Sequence, residues 1–159
     1  TVETNITFGK NKNGKPKKEK VKEAIKVSQA EEFVSKLEDK EKSHIASGGT
    51  NVSGGQKQRL SIARTIARDP EIYIFDDSFS ALDYKTDSTL RKELKKYTKD
   101  ATVLIVAQRI GTILNANKII VLDNGKCVGM GTHKELMKKC KVYKEIALSQ
   151  VSKEELENV

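Results

Sequence analysis

The sequence predicts an α/β chain: a sheet of buried strands with a helical lobe set partly aside from it. Three short apolar runs, at residues 72–75, 103–106 and 119–122, are rich in Ile, Val and Leu and have strand length. Apolar residues at helical spacing in 18–37, 56–68 and 86–97 supply the helices. The three strands are expected parallel or mixed in one sheet, and the helices of 18–37 and 56–68 form the lobe.

Residues 1–9 carry no start signal that the sequence alone reveals. In 18–37, Val21, Ala24, Ile25 and Val27 alternate with charges and continue to Phe33, Val34 and Leu37, which predicts two short helices broken near residues 28–30. Residues 38–50 are polar and rich in Gly and Ser, hence loop, and His44 there is read as a solvated loop histidine. Ser53 is a good N-cap, and Leu60, Ala63, Ile66 and Ala67 follow on one helical face. With Gly54 and Gly55 leaving its first N–H groups unobstructed, this helix start suits an anion.

An Asp69-Pro70 turn leads into residues 71–76, an apolar run that ends in Asp76 and is followed by Asp77. It reads as a strand buried on both faces, whose carboxyl end is where open α/β sheets place ligands. Residues 86–97 carry Leu90, Leu94 and Tyr97 at helical spacing, with Asp87 early and lysines late, as the helix dipole favours. After the strand at 102–107 comes Gln108. Residues 117–122 and 127–130 flank Asn124-Gly125, a type I′ hairpin signal. Thr132 and Glu135 form a capping box for the first of two closing helices, and a charged tail fills 152–159.

At 159 residues the chain is long enough for one ordinary domain with its own core. Hydrophobic content is 36% and no apolar run approaches bilayer-spanning length, which excludes a membrane span within it. No signal-peptide pattern is present. Cys127 and Cys140 lie outside metal-ligand spacing and are expected as free thiols of a reducing compartment. The net charge of +8 is mostly lysine interspersed with glutamate along helices. Its densest run, 10–20, holds Gly14 and Pro16 and no aromatic residue for base stacking, so it reads as an exposed linker and no nucleic-acid partner is expected.

Anion-binding helix start, Asp-Pro turn, apolar strand and terminal acid, in that order and at that spacing, resemble the ABC ATPase family. Residues 52–56 (VSGGQ) resemble its signature motif with Val for the usual Leu, 72–76 (IYIFD) its Walker B strand, and 80–83 (SALD) its D-loop. Residues 5–9 fit an ENI-x-FG pattern, with Thr4 where an acid is usual, and 131–136 fit a GTHxEL segment in which His133 is structural. Residues 44–50 stand where exporters carry a TEVGERG-like segment, but its acid and arginine are replaced by Ser47 and Gly48.

The resemblance implies a P-loop NTPase-like ABC ATPase core, here without its N-terminal strands and Walker A, and with a helical signature subdomain. Gly-x-x-x-x-Gly-Lys-[Ser/Thr] occurs nowhere in the 159 residues, and the parent protein is expected to supply that portion and a transmembrane region. The implied organisation is a helical and signature part at about 1–68, a Walker B and switch part at about 69–150, and a tail at 151–159. The implied cofactors are ATP and Mg2+. By resemblance Asp76 holds magnesium through water, Asp77 and Gln108 occupy the catalytic positions, and Ser53, Gly54, Gly55, Gln56 and Asp83 meet nucleotide.

Both catalytic positions depart from the family's pattern. The base is ordinarily Glu, and Asp77 is one methylene shorter; a misplacement of about 1 Å can cost roughly a hundredfold in rate. The switch histidine is Gln108, which can hydrogen-bond a phosphate but cannot carry a proton. This pairing resembles the degenerate half of a heterodimeric exporter at the cytoplasmic face of the cell membrane. Its partners would be transmembrane domains and a second nucleotide-binding domain docked head to tail. The parent resembles an ATPase, while the isolated soluble piece is expected to be inactive and without tight ATP binding. A DNA-repair type of ABC ATPase would show a long heptad coiled coil before the signature, and 18–37 is too short for one. A translation-associated type would show a second signature or a long basic linker, and neither occurs. A catalytically inert folded lobe is the remaining alternative.

Overall fold

The computed structural model describes residues 1–9 and 14–150. The front of the 10–20 run and the tail from 151 on lie outside the described residues. The elements in order are α1 (Val2–Ile6), α2 (Lys18–Val27), α3 (Glu31–Ser35), 3-10 turns at Lys40–Lys42 and Ser47–Gly49, α4 (Gly54–Arg68), β1 (Ile72–Asp76), α5 (Tyr84–Tyr97) and β2 (Thr102–Val106). Then follow α6 (Ile110–Ile113), β3 (Ile119–Asp123), β4 (Lys126–Gly131), α7 (His133–Lys139) and α8 (Lys141–Gln150). They form two compact units, one from Thr1 to Val106 and one from Ala107 on.

The first unit is built around α4. Leu60, Ala63, Ile66 and Ala67 are buried as their spacing predicts, joined by Ile62. They pack with Val21, Ala24 and Ile25 of α2, Leu90 and Leu94 of α5, and Tyr73 and Phe75 of β1 in a single core cluster. α2 stops where foreseen, because Gln29 takes a left-handed backbone conformation (φ 58°). Arg59 of α4 donates to the Gln29 carbonyl at 2.8 Å and lies over the Phe33 ring, fixing the break between α2 and α3. α1 was not foreseen: Thr1 and Thr4 form its capping box, and Val2 and Ile6 enter the core.

β1 and β2 pair in parallel, Ile72 opposite Thr102 and Asp76 opposite Val106. Only one face of β1 is covered. Tyr73 and Phe75 are buried, whereas Ile72 and Ile74 are 61% and 63% exposed, as are Leu104 and Val106 beside them to about the same degree. The expectation of a strand buried on both faces is therefore corrected: α4 and α5 supply side chains to one face of this sheet, and no described element of the first unit packs on the other.

In the second unit β3 and β4 form an antiparallel hairpin, with a bulge between Val121 and Leu122. Asn124 and Gly125 both have positive φ (48° and 75°), the condition of the I′ turn that their sequence announces. Ile119 and Val121 meet Leu136 of α7, Cys140 at the α7–α8 junction, and Tyr143 and Ala147 of α8, with Ile110 of α6, in a separate core. The expectation that β3 shares a sheet with β1 and β2 fails, since among the described residues β3 pairs with β4 alone. A tight turn brings β4 beside β3 at little loop-closure cost, and the alternating burial of β3 needs cover on one face only. Both cysteines are free, Cys127 exposed and Cys140 buried.

Candidate functional site

The start of α4 and the loop that leaves β1 form one constellation in the first unit. Ser53 caps α4 with its hydroxyl accepting from the Gln56 N–H, while the Gln56 side chain accepts from the Ser53 N–H at 2.9 Å. That reciprocal box occupies two donors of the helix start. The N–H groups of Gly54 and Gly55 have no protein partner among the described residues, and the Ser53 hydroxyl keeps its proton to donate. Two neighbours set the position of this start. Asn51 closes the preceding loop by accepting from the Ala46 N–H and donating to the His44 carbonyl, each at 2.9 Å. On the other side Gly55 runs so close to the loop after β1 that a Cβ there would lie 2.9 Å from the Ala81 carbonyl oxygen.

That loop, residues 77–82, is rigidly held. Phe79 and Leu82 are buried in the core, with the Phe79 and Phe75 rings 5.5 Å apart. Asp77 has left-handed φ (46°) and its N–H donates to the Val106 carbonyl. Gln58 of α4 grips the loop from the other side: its amide nitrogen donates to the Asp77 carbonyl (3.2 Å) and to Ser80 Oγ (3.1 Å), and its amide oxygen accepts from the Ala81 N–H (3.0 Å). Asp76 and Asp77 stay exposed at the carboxyl end of β1, their carboxylates without a protein partner among the described residues. Asp83 ends the loop as the N-cap of α5, accepting from the Thr86 N–H at 3.0 Å. Hydrogen bonding from Thr86 holds the Asp83 carboxyl below the usual carboxylate range.

The structure thus gathers Ser53, Gly54, Gly55 and Gln56 with the loop that bears Asp76, Asp77 and Asp83. Gln108 belongs to the second unit, where it is exposed. There the Gln150 side chain donates to the Gln108 carbonyl at 2.7 Å and accepts from the Ile110 N–H at 2.8 Å, bracketing the entry to α6. Gln58, Asn51 and Gln150 were not identified from sequence. A signal existed for Gln58 alone, since it follows Gly55 by three residues and so shares its helical face.

A family model described as ABC transporter matches residues 2–80, which end inside this loop. An uncharacterised ABC transporter ATP-binding protein of Mycobacterium bovis is 44% identical over 150 residues, 94% of this chain and 25% of that protein. An ATP-dependent lipid A-core flippase of Francisella tularensis is 38% identical over 143 residues, 90% of this chain and 23% of its own. The solved structure of a bacterial Atm1-family ABC exporter with ATP bound superposes with a TM-score of 0.88 at 30% identity, covering 94% of this chain and 26% of that one. The chain therefore spans about a quarter of the length of the proteins it matches. With a fold, a motif order and relatives that agree over nine-tenths of its length, it belongs to the ABC transporter family as part of an ATP-binding domain.

Proposed function

We propose that this chain serves in an exporter as the half whose own ATP site is slow and whose signature helix completes the site of a different partner subunit. The observation that carries the reading is the contrast within one constellation: a helix start with two unspent glycine N–H groups and a serine O–H, beside an acid one methylene short of the family's base. The resident chemistry fits. Mg-ATP supplies the phosphoanhydride that is cleaved and the cation that neutralises its charge. Of this chain's residues, Asp76 would hold the cation through water, and Asp77 would orient the attacking water from too far back. Gln108 would bond a phosphate oxygen without moving a proton. Ser53, Gly54 and Gly55 would face the nucleotide of the partner's site, Gln56 fixing the Ser53 rotamer, and Asp83 would lie along the same dimer face. Its setting would be beside transmembrane domains at the cytoplasmic side of a membrane, a reading that the flippase and exporter relatives support.

Mutation of the assembled transporter tests the asymmetry. Asp77→Ala should change turnover little, because its site is already slow. Ser53→Ala with Gly54→Asp should remove a donor and set a carboxylate against the partner's nucleotide, with a loss of at least about a hundredfold. Equal damage from the two changes in an ATPase assay would end the half-site reading.

A further inference from the structure

Gln58 lies outside the residues assigned above, yet it is the side chain that joins the helix start to the loop. We propose that Gln58 is a positioning residue: its amide holds the Asp77 backbone in its left-handed conformation and the Ser80-Ala81 turn against α4. The helix start that serves one nucleotide site and the acid that serves the other would then move as one body. The functional half of this statement rests on the reading under Proposed function.

The geometry is specific to an amide. Both N–H groups of Gln58 are spent on oxygens, the Asp77 carbonyl and Ser80 Oγ, and the amide oxygen is spent on the Ala81 N–H. Exchanging oxygen and nitrogen would set like against like at the Asp77 carbonyl and at the Ala81 N–H, the two partners that cannot reverse their roles. Ser80 Oγ donates in turn to the Asp77 carbonyl at 3.0 Å, so that one oxygen is held by two side chains. Left-handed φ is uncommon for a residue with a Cβ and persists only where surroundings enforce it. Here the Asp77 N–H is fixed by Val106 and its carbonyl by Gln58 and Ser80. The absent side chain of Gly55, at the Ala81 carbonyl, allows the close approach that the clasp needs.

Two variants separate the contacts. Gln58→Ala removes all three, whereas Gln58→Glu keeps an acceptor for Ala81 and loses both donors. In the full chain without nucleotide, hydrogen exchange of the Ala81 amide should rise about tenfold in Gln58→Ala, the effect of one hydrogen bond, and stay slow in Gln58→Glu. Amides of residues 60–67 should keep their protection in both. In the assembled transporter both variants should lower kcat severalfold at unchanged KM for Mg-ATP, because the helix start that completes the partner's competent site loses its seat on the loop while the nucleotide grip is undisturbed. An unchanged Ala81 amide in Gln58→Ala would overturn the clasp. Protection lost throughout α4 in both variants would overturn positioning in favour of a folding role. A freed Ala81 amide with kcat untouched would overturn the coupling. The exchange arm needs no ATP site, so the clasp can stand even where Asp77→Ala and the signature double variant prove equally damaging.

Discussion

Two adjacent glycines that look alike in sequence have different neighbours in the structure. A Cβ on Gly54 would sit 3.6 Å from the Ala81 Cβ, an ordinary contact, whereas a Cβ on Gly55 would press on the Ala81 carbonyl at 2.9 Å. Neither has the positive φ that would exclude a side chain. Gly54→Ala should therefore leave stability unchanged or raise it by up to about 1 kcal/mol through helix propensity. Gly55→Ala should cost about 1–3 kcal/mol, because backbone must shift to make room. Urea unfolding of the two variants checks this, and equal effects would show that the close approach is not tight. The sequence supports a single role for both glycines, giving room to a phosphate. The role of Gly55 against the protein's own loop is invisible there, because the loop lies more than twenty residues downstream. Gln58 is hidden for the same reason, as polar residues on a helix face announce no partner.

Elements with local instructions were legible. Ser53 with its helix, Asn124-Gly125 with its hairpin and Thr132 with Glu135 each specify structure within a few residues, and each is found. What failed was assignment across distance. An apolar run states that a strand wants cover, but it says neither how many faces are covered nor which strand pairs with it; hence the errors at Ile72, Ile74 and β3. The helix pair α7–α8 shows what a local signal leaves unsaid. His133 was expected to be structural, and it is buried with Nδ1 2.9 Å from the Tyr143 hydroxyl. Burial, aided by the Lys134 charge, holds its pKa below the ordinary histidine value. The unfolded chain then binds the proton more readily than the folded one. Stability from this site is full above the unfolded value, about 6.5, and falls as pH drops through it toward the folded pKa. Glu135, held low chiefly by the Thr132 N–H, loses its contribution only further down, in the carboxylate range. Thermal melts should thus decline as pH falls below about 6.5, and His133→Asn should abolish that slope while lowering stability at neutral pH. A wild-type melting temperature flat across this window would count against the assignment.

At the scale of the molecule, the covered face of the β1–β2 sheet and its bare face have opposite consequences. Tyr73 and Phe75 anchor the sheet to α4 and α5, while Ile72, Ile74, Leu104 and Val106 form an apolar strip that shares its face with Asp76. Each of the two strands also has one edge that no other described strand pairs. Burying a large aliphatic side chain contributes about 1.5–3 kcal/mol, so four together can stabilise association even after the entropy of ordering is subtracted. The chain on its own should therefore self-associate as its concentration rises, through this strip and the unpaired edges. Sedimentation velocity over a wide concentration range should show the weight-average mass increasing. Ile74→Lys with Leu104→Lys should return the chain to a monomer without lowering its melting temperature, because both side chains are already about half exposed or more and fill no core. A strictly monomeric wild-type chain in concentrated solution would show that the strip is too small to drive assembly. A destabilised double variant would show that it contributes to the fold itself.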